Sequence, residues 1–134
     1  MIVVDTNIVA YLYFPCVYTE AAIHLLEADP DWNAPLLWRS EFRNILTGYM
    51  RRGDLELEHA CAIQTAAELL LVGAEHQGDS KQVLRLAHES NCSAYDCEFV
   101  ALAHMLAAPL FTMDGKIIKA FPAVAKSLIT NATA

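Results

Sequence analysis

The chain opens on Ile2-Val3-Val4. A short run of β-branched residues without polar alternation is the pattern of a parallel strand buried on both faces, so it predicts a central first strand. Thr6 or Asn7 is placed to cap a helix through Val9, Ala10 and Leu12, and Pro15 breaks the chain before a second helix around Thr19 to Glu27. Trp32 to Trp38 reads as a second strand. From Ser40 onward, Phe42, Ile45, Leu46, Tyr49 and Met50 recur at three, four, seven and eight residues, which is the apolar stripe of a helix that Gly53 can end.

A further helix fits Glu56 to Leu70, followed by an apolar strand over Leu71 to Ala74 and a helix over Ser80 to Glu89. Ser93, three residues before Asp96, gives a capping-box-like start to a helix carrying Phe99, Val100, Leu102, Ala103 and Leu106, which Pro109 closes. Leu110-Phe111-Thr112 makes a brief strand and Gly115 turns the chain. From Ile117 onward the pattern supports only a short helix and an edge strand. Strands alternating with helices along the whole length predict an α/β sandwich with a mostly parallel sheet, whose strand order is not legible.

At 134 residues and 55% hydrophobic content, the chain suits one domain over positions 1–134 with one continuous core. No apolar run approaches the roughly 18 residues of a membrane span, and the N-terminus lacks the basic and apolar regions of a secretory signal, so a soluble, cytoplasmic protein is expected. Cys16, Cys61, Cys92 and Cys97 form no C-x-x-C pair and read as buried thiols rather than disulfides. His88 and Cys92 share an i, i+4 spacing but lack the second ligand pair that zinc requires. A net charge of −7 argues against a broad basic face for nucleic acid. Arg39, Arg43, Arg51 and Arg52, four of nine basic residues, could instead form a local patch for a strand, or simply a solvated helix face.

In open parallel sheets, ligands collect beyond the carboxyl ends of the strands. Asp5 directly follows the first strand, Asp114 follows Leu110-Phe111-Thr112 by one residue, and Glu41 opens a helix after the strand ending at Trp38. Asp96 sits in the first helical turn, four and seven residues before Val100 and Ala103, and so extends the buried stripe of its helix toward the sheet. Singly, these acids have ordinary explanations: capping for Asp96, a helix N-terminus for Glu41 and turn chemistry for Asp114. A carboxylate ending an apolar central strand, as Asp5 does, is desolvated unless something positive meets it. Four carboxylates in one crevice repel by several kcal/mol per close pair and call for a cation. All-oxygen donors suit Mg²⁺ or Mn²⁺, which can activate water for hydrolysis of a phosphodiester.

Val3-Val4-Asp5-Thr6-Asn7, Ser40-Glu41-x-x-Asn44-x-Leu46, Ser93-Ala94-Tyr95-Asp96 and Thr112-Met113-Asp114 together resemble the PIN-domain ribonucleases, and the short length resembles the VapC-like toxins of toxin-antitoxin pairs. The resemblance spans nearly the whole chain. It implies a three-layer α/β/α fold, Mg²⁺- or Mn²⁺-dependent cleavage of single-stranded or looped RNA, a homodimer and a cognate antitoxin. By that analogy Asp5, Glu41 and Asp96 are the principal carboxylates and Asp114 completes the site. Thr6 and Asn7 would orient the metal shell or the scissile phosphate, Thr112 would hydrogen-bond a carboxylate, and Arg39 and Arg43 are the candidates for contacting substrate.

Two rival readings stand beside this one. A PIN-fold protein can bind without cleaving, as a scaffold, although no acidic position of the pattern is missing. A phosphotransferase with Asp5 as covalent nucleophile would carry a second aspartate two residues later, as haloacid-dehalogenase-like phosphatases do, and this chain has Asn7 there. The apolar run Tyr11, Leu12, Tyr13 and Phe14 exceeds what one short helix can readily bury, so either a partner covers it or it is core.

Overall fold

The computed structural model describes residues 1–129. In chain order its elements are β1 (Ile2–Val4), α1 (Thr6–Tyr13), α2 (Thr19–Ala28), β2 (Trp32–Pro35), α3 (Leu37–Arg51), α4 (Leu57–Leu70), β3 (Glu75–His76), α5 (Ser80–His88), α6 (Ala94–Leu106), β4 (Leu110–Thr112), α7 (Gly115–Ala120) and β5 (Ala125–Ser127). The five strands form one sheet in the order β3-β2-β1-β4-β5, and every neighbouring pair is parallel. Parallel strands need a crossover between them, which here the helices supply.

β1 is the middle strand, and Ile2, Val3 and Val4 are all buried, as an uninterrupted β-branched run requires when both faces are covered. α6 lies across β1, β2 and β4 with α5 packed on it, while α1 and α3 pack on one another and against β4 and β2, giving the three-layer α/β/α sandwich. Trp32, Trp38, Phe42 and Phe99 are its largest fully buried side chains. The run at the end of α1 is not left open: Tyr11, Leu12, Tyr13 and Phe14 are half-buried against the core, and Phe14 stacks on Tyr49 with ring centroids 4.3 Å apart.

Several local expectations are corrected. All four cysteines are free thiols, but only Cys92 and Cys97 are buried, whereas Cys16 and Cys61 are exposed. Trp38 is not the end of a strand. β2 stops at Pro35, the Leu36 amide still donates to His76 O at 2.9 Å, and α3 begins at Leu37, three residues before Ser40. Glu41 therefore lies one turn inside α3 instead of at its start. The third strand is not Leu71 to Ala74 but Glu75–His76; buried Leu71 is the C-cap of α4, and Gly73 reverses the chain at φ +79°. Such a left-handed turn favours a residue without Cβ. Asp5, not Thr6 or Asn7, is the N-cap of α1, with Oδ1 accepting from the Thr6 amide at 2.8 Å. Gly115 does not turn the chain; it is the first residue of α7, whose N-cap is Asp114.

Gly53 does end α3, at φ +79° with its amide donating to Met50 O, and Ser93 does cap α6 by accepting from the Asp96 amide at 3.1 Å. The short helix and edge strand foreseen in the C-terminal stretch are α7 and β5; positions 130–134 of that stretch lie outside the described residues. Among the described residues, no helix is long and apolar enough to cross a membrane.

Candidate active site

The carboxyl ends of β1, β2 and β4 share one edge of the sheet, and each delivers chemistry to it. β1 ends into Asp5, whose amide donates to Phe111 O of β4 at 2.9 Å, so the ladder itself fixes where this carboxylate stands. β4 ends at buried Thr112, which donates from Oγ1 to Asp5 Oδ2 at 2.7 Å while accepting from the Asp114 amide at 3.0 Å. One hydroxyl thus ties the two strand-end aspartates together. Both of these aspartates also cap helices: Asp5 accepts from Thr6 at the start of α1, and Asp114 Oδ1 accepts from the Lys116 amide at 2.9 Å at the start of α7. A helix N-terminus favours negative charge, which accounts locally for two acids at adjacent strand ends.

β2 hands its residue over differently. The chain turns directly into α3, and Glu41 comes to rest against α1, where Oε1 accepts from the Thr6 hydroxyl at 2.7 Å. Asp96 arrives from α6 on the opposite helical layer, and its carboxylate takes no protein donor among the described residues.

Burial and neighbouring charge both act on these carboxyls. Burial pushes the Asp5 carboxyl above its ordinary range; the Thr112 and Thr6 donors oppose this, and the charges of Asp96 and Asp114 add to it. Burial likewise raises Glu41, opposed by the Thr6 hydroxyl and reinforced by Asp5, Asp96 and Glu98. Among the described residues, none of Asp5, Glu41, Asp96 or Asp114 forms an ion pair. Thr6 links Asp5 to Glu41 and Thr112 links Asp5 to Asp114, but Asp96 shares no such link, and among the described residues no three His, Cys, Asp or Glu side chains are grouped closely enough to hold a cation, which corrects the expectation of four acids already gathered around one ion.

The donor set nevertheless fits a hard divalent ion. It is made of carboxylate oxygens, and beside them Asn7 Oδ1 is buried with no hydrogen-bond partner. An unmet buried acceptor within a residue of Thr6 and two of Asp5 wants a proton donor or a cation. Water molecules on a divalent ion would supply such donors.

The two arginines part company. Arg39 engages Glu75 through Nε and Nη2 at 2.6 Å each and Glu68 through Nη1 at 2.9 Å, and Trp38 Nε1 joins on Glu75 at 2.7 Å. Its fork is committed to fastening α3 to β3 and α4, which corrects its reading as a substrate contact. Arg43 is exposed and makes a single bond to Ser40 Oγ at 3.1 Å. Glu98, on the same helix as Asp96, escaped the sequence reading; its position two residues from Asp96 is the one signal that could have drawn attention to it.

Comparison with known proteins agrees with this architecture. Over 92% of the chain and 96% of the relative, it is 27% identical to a protein named Ribonuclease VapC3 from Pyrobaculum aerophilum. Among solved structures, it superposes on a chain of a toxin-antitoxin complex from Klebsiella pneumoniae with a TM-score of 0.70 at 18% identity, covering 96% of this chain and 98% of that one. A chain of FitAcB from Neisseria gonorrhoeae gives a TM-score of 0.74 at 16% identity, again covering 96% and 98%. At such identities the two superpositions speak for the fold. The match that decides membership is to the PIN domain itself, and because it runs over residues 2–124, from the first strand past the helix that Asp114 caps, the chain belongs to the PIN domain family.

Proposed function

We propose that this chain is a Mg²⁺- or Mn²⁺-dependent endoribonuclease, the toxin of a toxin-antitoxin pair, with positions 1–134 acting as one nuclease domain. The observation that carries the proposal is the desolvated Asp5 carboxylate at the end of β1, which feels the charges of Asp96 and Asp114 and has no cationic partner among the described residues. Phosphodiester chemistry gives such a cluster a purpose. The name of the VapC3 relative supports RNA as the substrate, and the Klebsiella pneumoniae toxin-antitoxin complex supports a cognate antitoxin.

In this reading Asp5, Glu41, Asp96 and Asp114 hold the ion. When bound, the ion offsets charge at the scissile phosphate and acidifies an attacking water. The chain's own part is positional. Thr6 locks one oxygen of Glu41 and leaves the other for the ion, while both oxygens of Asp5 are held in place, Oδ1 by the Thr6 amide and Oδ2 by the Thr112 hydroxyl, so that Asp5 would offer the ion a remaining lone pair. Asn7 accepts from the ion's water shell through Oδ1 or donates to the phosphate through Nδ2, and exposed Arg43 contributes a phosphate contact at the rim. A cytoplasmic setting and a homodimer belong to the same proposal; exposed Leu57, Leu69 and Val72, on and just beyond α4, offer apolar surface for a second copy or an antitoxin.

The test is cleavage of a structured RNA by purified protein with and without Mg²⁺ or Mn²⁺, beside Asp5→Asn and Asp96→Asn variants checked for folding. Metal-stimulated cleavage lost in both variants is the expected result. Cleavage that persists unchanged in either variant overturns the mechanism, and absence of cleavage in the wild type leaves a PIN-fold binding protein.

A further inference from the structure

A cavity of about 320 Å³ opens beside the acidic edge, at the carboxyl ends of β2 and β3. Pro35 and His76, partners across those two strands, form one wall. α6 forms the facing wall with Glu98, Ala101, Leu102 and Met105, and the start of α5 contributes Asp79 and Gln82. Apolar surface from Pro35, Ala101, Leu102 and Met105 is thus ringed by a few polar groups, the composition of a small-ligand site. At the low end of the roughly 300–1,000 Å³ range of such sites, it admits one base-sized group and not an oligonucleotide.

Its location ties it to the site above. Glu98 lines the cavity, and its charge is felt by Glu41. The wall is also held in place before any ligand arrives, because His76 Nε2 bonds Asn33 Oδ1 at 3.0 Å and Asn33 is itself bonded to Ile2 O and Asp31.

The geometry points to a subsite for one unpaired guanine base of the RNA strand, read by Glu98. This rests on the nuclease reading for its source of RNA. The half-buried Glu98 carboxylate has no hydrogen-bond partner among the described residues, so two oxygens are free to accept. Guanine alone among the four bases presents two adjacent N–H donors, N1 and N2, on its Watson–Crick edge, and a carboxylate accepts both in parallel. Adenine and cytosine set a ring-nitrogen lone pair beside their single amino group, and uracil flanks its N–H with two carbonyls, so each places an acceptor against the negative charge. Gln82, whose Nε2 lies only 3.5 Å from His104 Nδ1, can turn its amide N–H to the O6 or N7 of the same base. Phosphate is disfavoured in the cavity because Glu98 and Asp79 repel it, which leaves the base to enter and the backbone to stay outside. Single-stranded RNA is commonly recognised in this manner, by splayed bases bonded on their edges.

The experiment uses short uridine-rich RNAs containing one guanosine, inosine or adenosine, with binding followed by fluorescence anisotropy in EDTA and cleavage followed separately in Mn²⁺. Inosine keeps N1–H and lacks the 2-amino group. Guanosine RNA should bind about tenfold more tightly than either substitute. Glu98→Gln should erase that difference, with all-uridine RNA bound at least as tightly as by the wild type because a charge that repels phosphate is gone. Gly78→Leu should erase the difference as well by filling the mouth; a Cβ there meets Glu98 Oε1 at 3.7 Å, an ordinary contact that the fold tolerates. Equal affinities for the three RNAs, or a preference that survives both variants, overturn the assignment. So does guanosine monophosphate binding as tightly as the guanosine RNA, which would make the cavity a site for the free nucleotide. A guanosine preference in a protein that cleaves nothing upholds the subsite and removes the nuclease reading, whereas cleavage without preference does the reverse.

Discussion

Thr6 Oγ1 donates to Glu41 Oε1 at 2.7 Å across 35 residues of sequence, joining the first turn of α1 to α3. Thr112 performs the same service for Asp5, so that two hydroxyls set the rotamers of two half-buried acids.

Thr112→Val keeps the shape of a fully buried side chain but removes the donor to Asp5 and the acceptor for the Asp114 amide. A partner that orients a metal ligand is worth roughly 10- to 100-fold in affinity or activity. We expect a loss of that size in Mn²⁺ affinity by calorimetry and in RNA cleavage, with Thr6→Val losing less because Glu41 is less deeply buried. An unchanged Mn²⁺ affinity in Thr112→Val would show that the hydroxyl is only part of the core.

A divalent ion held by the four carboxylates stabilises the fold by mass action. At a concentration about 100-fold above its dissociation constant the gain is about 2.7 kcal/mol, on the order of 10 °C in Tm for a chain this size. Mg²⁺ or Mn²⁺ should raise the melting temperature of the wild type by that order and that of Asp5→Asn by much less. Equal shifts in the two proteins would place the ion elsewhere.

The pH dependence of the metal-free protein follows from the raised carboxyls. Burial makes folded Asp5 and Glu41 hold their protons more firmly than the unfolded chain does, above the ordinary values of 3.8 and 4.5. Their contribution is therefore fully favourable below those values and is lost as pH rises through the folded ones. Near neutrality the fold carries the whole repulsion. In EDTA, Asp5→Asn should melt above the wild type at pH 7, with the gap narrowing as pH falls toward about 4. Asp29 and Glu75, whose carboxyls are held below their ordinary range by the N-terminal ammonium and by Arg39, lose stability at the acid end in both proteins and cancel from the comparison. A gap that widens on acidification would refute the assignment.

Arg39 and Arg43 should separate by readout. Arg39→Met abandons Glu75 and Glu68 and should lower the melting temperature. Arg43→Ala should leave melting unchanged and weaken RNA binding, reducing the slope of log affinity against log salt by about 0.7, the share of one phosphate contact on a single strand. The reverse pattern would restore Arg39 as the substrate contact.

Where local pattern and tertiary structure agree, the sequence was legible. Ile2-Val3-Val4 could be read as a strand because its burial on both faces leaves no polar position to mislead, and Leu110-Phe111-Thr112 because a short run of strand-forming residues follows Pro109; Asp5 and Asp114 drew notice as the acids that follow them. β2 ran on too far because Leu36, Leu37 and Trp38 are as apolar as the strand, and α3 starts without a side-chain cap to announce it. β3 was misplaced because its side chains are polar: Glu75 is satisfied by Trp38 and Arg39, residues 37 and 36 positions away. Nothing local distinguishes such a strand from a loop. The same separation hid the true role of Arg39.

The strand order puts β1 between two later arrivals, β2 and β4, and that ordering has a temporal consequence. During synthesis Asp5 emerges first and waits more than a hundred residues for the threonine that orients it. No fragment that stops short of Thr112 can hold Asp5 in this orientation, so residues 1–112 must all be made before the hydrogen bond between the two exists.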